Sequence, residues 1–197
     1  MKKVKTYFDK KSLKYQKNST SFPWKLIRDY EKNIVISLMG NVKNLSIADV
    51  GSGSGFYTEV ILKNKPKKIY AIDNSDKMLA QIKNHSKKIK KISQNIETLK
   101  LNQKFDKIIS AGLIEFAKKP LKVLQNINKI SKKNSTFILL CPKDNFFGKI
   151  YKFFHMFNKI NINLFSIEQL NRLSQKSGWR IIKEESFLFS IVLKMKK

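Results

Sequence analysis

Short apolar runs alternate with amphipathic helical segments along most of this chain, and that alternation restricts the folds open to it. The runs 45–50, 68–73 and 105–110 have the length of strands, whereas the segment 23–39 places its apolar residues at helical spacing. Strands separated by helices form parallel sheets that are covered on both faces. With 197 residues, the chain has the size of one such domain.

The last two apolar runs depart from this pattern because only a few residues separate them. Residues 179–183 and 187–194 both resemble strands, and 184–186 is too short for a parallel crossover, which needs about a dozen residues. These two strands therefore pair antiparallel. We predict an α/β fold: a Rossmann-like, mostly parallel seven-stranded sheet with helices on both faces and a terminal antiparallel strand.

The first residues differ in composition from the rest of the chain. Residues 1–22 are polar and rich in lysine, so we predict a flexible basic arm there and one domain over 23–197. The N-terminal lysines are not followed by an apolar stretch, and no apolar run reaches the about 20 residues of a membrane helix. A single cysteine cannot form an intramolecular disulfide. These features predict a cytoplasmic protein.

The net charge of +27 leaves two interpretations open. Only three of the 41 basic residues are arginine, and lysine, asparagine and isoleucine, which have A/T-rich codons, are all abundant. Genome composition therefore explains much of the charge, because recognition of phosphates and bases favours arginine. The alternative is selection for an anionic partner such as nucleic acid or a membrane surface.

A glycine-rich turn, ADVGSGSGF, follows the first predicted strand. Ligands of doubly wound sheets bind at the carboxyl ends of the strands, where glycine lets the backbone approach them closely. Counting from Gly51, the dinucleotide fingerprint needs glycine at position 56, which is Phe56 here. Asp73 ends the next strand, where a carboxylate can accept hydrogen bonds from ribose hydroxyls. The pattern predicts a nucleoside site without pyrophosphate.

Four segments resemble, in the same order, those of class I S-adenosylmethionine-dependent methyltransferases. They are IADVGSGSGFYTEVI, IYAIDNSDKML, FDKIISAGLIEFAKKP and LNRLSQKSGWRIIKEESF, and the resemblance extends from about residue 24 to residue 195. It implies an enzyme that transfers a methyl group from S-adenosyl-L-methionine, and a sheet that ends in an antiparallel strand.

The resemblance also implies a set of cofactor-binding residues. They are Asp49, Gly51, Ser52, Gly53, Gly55, Asp73, Asn74, Asn95, Ile96 and Ser110. Among them, Asp49 would hold the amino end of the cofactor and Asp73 the ribose, while Asn95 stands where the family often has aspartate. Three alternatives stay open: the glycines only permit helix–strand packing, Asp73 is only a strand-end carboxylate or a helix cap, and Asn95 is a solvated turn residue. We assign no metal ligand.

Methyl transfer requires the acceptor atom in line with the methyl group and, for some acceptors, a base that removes a proton. Glu115, just after the strand 105–110, and His155 are the candidate catalytic residues. His85 lies beside lysines on a polar segment and is expected to be solvated.

The segment 146–157 carries an apolar stripe at helical spacing. The stripe consists of Phe146, Phe147, Ile150, Phe153, Phe154 and Phe157. Three interpretations stay open: a helix packed on the core, an aromatic lid over a hydrophobic or planar acceptor, and peripheral membrane contact. CPKDNFFGKIYKFF resembles the magnesium-protoporphyrin O-methyltransferase branch, although relatives there have histidine in place of Glu115.

We therefore expect a methyltransferase that acts on a small-molecule acceptor, hydrophobic or anionic, most simply by O-methylation. Amino-methylating enzymes of nucleic acids and proteins carry an N-P-P-Y-like tetrapeptide after the fourth strand, whereas residues 110–113 here are SAGL. The alternatives are an RNA- or ribosome-directed methyltransferase and a non-catalytic basic nucleic-acid-binding protein that kept the fold.

Overall fold

The computed structural model describes residues 2–19, 24–83 and 86–197. Its centre is a seven-stranded sheet in the spatial order β3-β2-β1-β4-β5-β7-β6. The strands are β1 Ser46–Val50, β2 Lys68–Asp73, β3 Ile89–Ser93, β4 Phe105–Ala111, β5 Ser131–Pro142, β6 Arg180–Phe187 and β7 Ser190–Lys196. The helices are α1 Lys2–Ser19, α2 Trp24–Met39, α3 Phe56–Leu62, α4 Asp76–Ala80, α5 Pro120–Lys129, α6 Phe146–Phe157 and α7 Ile167–Lys176. Within the described ranges, no helix is both long and apolar enough to cross a membrane.

The strand directions confirm the predicted fold. Strands β1 to β5 pair in parallel, and β7 runs antiparallel between β5 and β6. The predicted link between the last two strands, residues 184–186, is wrong because β6 continues to Phe187 and only residues 188–189 form the turn. Leu188 adopts a φ of 48°, the left-handed conformation that such a tight turn requires.

The two faces of the sheet are covered by different helices, as parallel strands require. In β1, Ile47 packs with α2 and α3, whereas Ala48 and Val50 point to the opposite face and pack with α5 and α7. Trp179 closes the latter core, where its Nε1 donates a hydrogen bond of 3.2 Å to the carbonyl of Leu124. Helices therefore pack on both faces of the sheet, and this packing fixes the positions of the strand ends.

The N-terminal segment corrects one prediction. Residues 2–19 form the helix α1 and not an irregular arm. Its residues Val4, Tyr7 and Phe8 pack against a small cluster that contains Phe116. These three side chains have helical spacing, but they form one short stripe among many lysines, too weak a pattern to identify from composition. Residues 20–23 and 84–85, including the predicted end of the arm and His85, lie outside the described residues.

Candidate active site

The glycine-rich loop joins β1 to α3 at the carboxyl edge of the sheet. The φ angles of Gly51, Gly53 and Gly55 are 77°, 52° and 86°, all in the left-handed region that favours glycine. The amides of Gly51 and Ser52 donate to the carbonyl of Ile72 at 2.8 and 3.1 Å. These bonds hold the loop against the end of β2, where Asp73 lies.

Each of the three glycines of the loop lies close to a different side chain. A Cβ on Gly55 would lie 2.7 Å from Ile82 Cγ1, and one on Gly51 would lie 2.8 Å from Leu113 Cβ. Both positions therefore need glycine for packing, which is the alternative that the sequence left open. A Cβ on Gly53 would lie 3.2 Å from Met78 Cε, a flexible side chain that lines a cleft together with Gly53.

This first cleft lies between the glycine-rich loop, the ends of β2 and β4, and α1. Its lining includes Val4, Phe8, Arg28, Asp49, Gly51, Ser52, Gly53, Ser54, Asp73, Asn74, Met78, Ala111, Gly112 and Leu113. Six of the predicted cofactor residues, namely Asp49, Gly51, Ser52, Gly53, Asp73 and Asn74, are therefore brought together in one cleft.

Asp73 binds the backbone with both carboxylate oxygens. Its Oδ2 accepts a hydrogen bond from the amide of Gly53 at 2.9 Å, and its Oδ1 accepts one from the amide of Ser75 at 2.9 Å. Burial raises the pKa of Asp73, and these amides oppose that shift. Each oxygen keeps a second lone pair, so the carboxylate can still accept two hydroxyl groups from the cleft.

Asp49 is the second carboxylate of the first cleft, and only 2% of it is exposed. Thr58 Oγ1 donates a hydrogen bond of 2.6 Å to Asp49 Oδ2. Burial raises the pKa of Asp49 to about 7, against the opposing effect of this hydrogen bond. A buried carboxylate of this kind favours a cationic ligand group, because the opposite charge offsets the cost of its desolvation.

Two further predicted residues, Asn95 and Ile96, do not line the first cleft. Asn95 Oδ1 instead accepts a hydrogen bond of 2.9 Å from the amide of Glu97 and begins the short 3-10 helix Ile96–Thr98. The side chain of Ile96 is buried in the core beside α5. In the structure Asn95 thus caps a helix and Ile96 packs in the core, and their contact with the cofactor stays a prediction.

Gly55 and Ser110 also lie outside the lining of the cleft. Ser110 is completely buried within β4, and the two following residues, Ala111 and Gly112, line the cleft instead.

A second cleft adjoins the first and has a cavity volume of about 400 Å³. The two clefts share Arg28, Tyr57, Ala111 and Gly112. The walls of the second cleft come from α1, α2, α6 and the ends of β5 and β7, and they include Tyr7, Trp24, Pro142, Tyr151, Phe154 and Phe189. Several aromatic rings contribute to this surface, and Tyr151 and Phe189 stack with their ring centroids 4.9 Å apart.

Glu115 contributes a buried carboxyl group to the second cleft. Only 2% of the residue is exposed, and its Oε2 has no hydrogen-bond partner among the described residues. Burial raises the pKa of Glu115 to about 8. The group is therefore mostly protonated at neutral pH, and it titrates in the range in which a general base is most effective.

His155 reaches the same cleft from α6. Its Nδ1 is buried and receives no hydrogen bond from the part of the chain that is described. Burial, followed by the charge of Lys11, lowers the pKa of His155 to about 4, so the imidazole is neutral at neutral pH. Both candidate catalytic residues thus lie in one cleft, although they come from distant parts of the sequence.

Several residues of the site were not predicted from the sequence, and α2 supplies two of them. Arg28 lines both clefts and holds its guanidinium 4.1 Å from the ring centroid of Phe56. Glu31, one turn later, accepts a hydrogen bond from Ser190, and burial raises its pKa. One sequence signal was available: Arg28 is one of only three arginines in a chain that otherwise uses lysine.

Helix α1 covers both clefts. Val4 and Phe8 line the first cleft, and Tyr7 and Lys11 line the second. Ser75 Oγ donates a hydrogen bond to Asp9, which fastens α1 beside the end of β2. The segment that composition suggested to be a loose arm is therefore a wall of the site.

A family model described as a methyltransferase domain matches residues 41–185. The chain belongs to this methyltransferase family. The matched range contains the glycine-rich loop, both cleft carboxylates and the candidate base Glu115. The predicted fold, the enzyme class and the cofactor, S-adenosylmethionine, are those of this family.

Two curated relatives differ in what their names say they methylate. This methyltransferase is 29% identical over 125 residues to the ribosomal RNA small subunit methyltransferase A of Ehrlichia ruminantium, covering 64% of this chain and 43% of that protein. It is 41% identical over 86 residues to the release factor glutamine methyltransferase of Flavobacterium psychrophilum, covering 41% of this chain and 29% of that protein. The matches thus span less than half the length of these relatives.

Solved structures confirm the fold over the whole chain. The magnesium protoporphyrin IX methyltransferase of Synechocystis PCC 6803, solved with bound SAH, superposes with a TM-score of 0.79. The superposition covers 98% of each chain at 16% sequence identity. At that identity the likeness concerns the fold, so the acceptor of the present methyltransferase has to be inferred from its own cleft.

Proposed function

We propose that this methyltransferase binds S-adenosylmethionine in the first cleft and methylates an oxygen atom of a small molecule held in the second. The single observation that carries the proposal is the junction of the two clefts. Ala111 and Gly112 line both, so a methyl group presented there from one side faces an acceptor on the other. Gly112 has no side chain to block that passage.

The polar groups of the first cleft match the cofactor along its length. Asp49 would hold the amino group, because its buried carboxylate gains most from a cationic partner. Asp73 would accept the two ribose hydroxyls with its remaining lone pairs, and Asn74 and Met78 would lie beside the adenine. When bound, the cofactor supplies a methyl group activated by a sulfonium leaving group.

The second cleft favours an acceptor with a flat apolar body. Aromatic side chains from Trp24, Tyr151, Phe154 and Phe189 line it, and such walls bind planar molecules by stacking and burial. Lys11 adds a positive charge near the opening of the cleft, where it donates to Tyr7 and Asn158 at 3.0 and 2.9 Å. A hydrophobic acceptor that carries an anionic or hydroxyl group suits this combination.

The two candidate catalytic residues differ as bases. His155, with a pKa of about 4, has little affinity for a proton, and its free Nδ1 would orient an acceptor hydroxyl by accepting its hydrogen bond. In its ionised form, which predominates above its pKa of about 8, Glu115 is the stronger base and would take the proton as the hydroxyl attacks the methyl group. An acceptor that is already a carboxylate has no proton to lose, so it needs only to be positioned beside the methyl group.

A second candidate function is methylation of ribosomal RNA. Two observations favour it: the net charge of +27 and the similarity to a relative that is named for the small-subunit ribosomal RNA. Nucleic-acid binding that rests on such charge weakens steeply as salt rises. The second cleft favours the small-molecule function, because its volume of about 400 Å³ is that of a ligand site and aromatic residues contribute to its walls.

One experiment distinguishes these functions. The purified protein is incubated with S-adenosylmethionine labelled in the methyl group, in one arm with a metabolite extract of the source organism and in the other with its ribosomal RNA. Label in a small apolar molecule, recognised by a mass gain of one methyl group, is the expected result. Label in RNA alone would favour the second function, and calorimetry that finds no binding of S-adenosylhomocysteine would refute both.

A further inference from the structure

Helix α6 turns its apolar stripe away from the protein. Phe146, Phe153 and Phe157 are 72%, 57% and 71% exposed, and Phe147, Ile150 and Phe154 are also exposed. The interior side of the helix consists instead of Gly148, Tyr151 and His155. This arrangement excludes the interpretation in which the stripe packs on the core, because an amphipathic helix of that kind buries its apolar side.

The rotation of α6 is fixed by close contacts. A Cβ on Gly148 would overlap the carbonyl oxygen of Lys143, so the helix touches the preceding backbone at this point. Asn145 Oδ1 accepts a hydrogen bond of 2.8 Å from the amide of Gly148 and caps the first turn. The aromatic side chains are therefore held outward by the packing beneath them, and a small roll of the helix would not bury them.

The apolar surface extends beyond α6. Asn145 Nδ2 donates a hydrogen bond of 2.7 Å to the carbonyl of Leu188, which fastens the β6–β7 turn beside the start of the helix. Leu188 is itself 41% exposed. Contiguous exposed apolar patches of this kind mark surfaces that bind a protein or a membrane.

The charges around the patch favour an anionic membrane over an apolar protein surface. The sequence of α6 contains Lys149 and Lys152 and no acidic residue. Lys143 and Lys159 flank the helix, together with one exposed carboxylate, Asp144. A helix that lies in a bilayer interface buries aromatic side chains among the acyl chains while its lysines reach the lipid phosphates. The net charge of +27 adds a long-range attraction to such a surface.

We propose that α6 is an interfacial helix that docks this protein onto a membrane rich in anionic lipids. Phe154 belongs to the exposed stripe and also lines the second cleft, so docking would bring this cleft close to the lipid surface. An apolar acceptor could then enter from the membrane. This last step rests on the proposed function, whereas the docking itself is independent of methyl transfer.

The test is flotation of the purified protein with vesicles, without cofactor or acceptor. One set contains phosphatidylcholine and phosphatidylglycerol, and the other contains phosphatidylcholine alone. The wild-type protein should float with the anionic set. The double variant Phe153→Ser/Phe157→Ser, whose residues do not line either cleft, should partition at least about tenfold less, because two large apolar side chains no longer enter the interface.

Two further variants make the result specific. Ile182→Ser removes a 45% exposed apolar side chain from the edge strand β6 and should bind vesicles as the wild type does. Lys149→Gln/Lys152→Gln should weaken binding to anionic vesicles several-fold and make it less sensitive to salt. All substituted residues lie at the surface, and circular dichroism verifies that each variant is folded.

Three outcomes would overturn the proposal. The first is no flotation of the wild-type protein with anionic vesicles at low salt. The second is equal flotation of the Phe153→Ser/Phe157→Ser variant, which would assign the binding to lysines elsewhere. The third is a concentration-dependent dimer, seen by sedimentation velocity, that this variant abolishes while vesicle binding is absent, which would make a second copy of the chain the occupant of the patch.

Discussion

The backbone amide of Gly53 lies 2.9 Å from Asp73 Oδ2, so the carboxylate that we assign to the ribose also holds the glycine-rich loop. Substitutions of Asp73 affect both roles, because Asp73→Asn removes one of the two oxygens that accept from the amides of Gly53 and Ser75 and Asp73→Ala removes both. Asp73→Asn keeps one oxygen acceptor but loses the charge, and charge-assisted hydrogen bonds are roughly twice as strong as neutral ones.

We therefore expect Asp73→Asn to weaken binding of S-adenosylhomocysteine by about 10- to 100-fold, measured by calorimetry, because each lost charged hydrogen bond contributes about 1.5–3 kcal/mol. Asp73→Ala should in addition lower the free energy of unfolding, since the amides of Gly53 and Ser75 lose their acceptor. Asp76→Asn is the matched control, as its side chain is 73% exposed. Normal affinity in Asp73→Asn would contradict the ribose assignment.

Binding of the cofactor should depend on pH through Asp49. Burial raises the pKa of this group from 3.8 to about 7 in the free protein, so its carboxylate is charged only above that pH. A cationic amino group binds the charged form, and affinity for S-adenosylhomocysteine should therefore rise as pH increases through about 7. Calorimetry in buffers of different ionisation enthalpy should detect release of a proton below that pH.

A variant of the hydrogen-bond donor sharpens this test. Thr58→Val removes the hydroxyl that donates to Asp49 Oδ2 at 2.6 Å and so removes an influence that lowers the pKa. The midpoint of the pH dependence should move upward in this variant. An affinity that does not change between about pH 6 and about pH 8 would show that Asp49 does not hold the amino group.

Glu115 should make the protein less stable at alkaline pH. Its pKa is 4.5 in its ordinary state and about 8 in the fold, so stability is greatest while the group is protonated and falls as pH rises from 4.5 to about 8. Glu115→Gln cannot ionise and should lose this part of the pH dependence. Because one pKa unit corresponds to about 1.4 kcal/mol, urea unfolding at about pH 6 and about pH 9 can resolve the difference.

The same variant tests catalysis once an acceptor is found. Glu115→Gln should lower kcat for a hydroxyl acceptor by about 10²–10⁴-fold, the usual contribution of a general base. Affinity for S-adenosylhomocysteine should stay within about twofold of the wild type, because Glu115 does not line the first cleft. Full activity with a hydroxyl acceptor would leave His155 as the remaining candidate base.

The glycine-rich loop should be intolerant of side chains where it packs. Gly55→Ala places a Cβ 2.7 Å from Ile82 Cγ1 at a φ of 86°. Gly40→Ala is a matched control, because its φ is 63° but the nearest atom would be 3.9 Å away. The control should lose about 1 kcal/mol from the left-handed backbone, and Gly55→Ala should lose about 1–3 kcal/mol more from overpacking. Urea unfolding measures both.

A second substitution distinguishes packing from backbone strain. In the Gly55→Ala background, Ile82→Ala removes the atoms that the new Cβ would meet. Stability should be partly restored relative to the sum of the two single changes, as expected for residues in contact. If the changes in the free energy of unfolding of the two single variants simply add, the new Cβ does not contact Ile82.

The order of the elements was predictable because it depends on local pattern. Strand-length apolar runs, helical spacing and the short link before β7 act over a few residues and identify a parallel sheet with an antiparallel last strand. The cluster of Asp49, the glycine-rich loop and Asp73 was also predictable, since strand ends of adjacent β1 and β2 must meet at one edge.

The second cleft was much harder to predict, because its residues come from helices whose rotation depends on distant contacts. Glu115 and His155 were named from the sequence, but their meeting depends on how α6 lies against Phe116, whose ring centroid is 5.6 Å from that of His155. Arg28 and Glu31 gave no sufficient pattern, and α1 was predicted as an irregular arm. Asn95 and Ile96 were assigned to the cofactor by resemblance, and this assignment stays a prediction; in the structure Asn95 caps a short helix and Ile96 lies in the core.

By itself, the sequence determined the sheet, the position of the glycine-rich loop and the carboxylate that follows it, because covalent neighbours and side-chain periodicity impose all three. Tertiary structure alone decided which side of α6 faces the solvent and that α1 covers both clefts. The physical reason is that the rotation of a helix is set by contacts between residues far apart in the chain, such as His155 with Phe116 and Phe8 with Phe116. An apolar stripe in the sequence indicates a helix with one apolar face. Only the tertiary structure shows whether that face packs on the core of the protein or stays exposed.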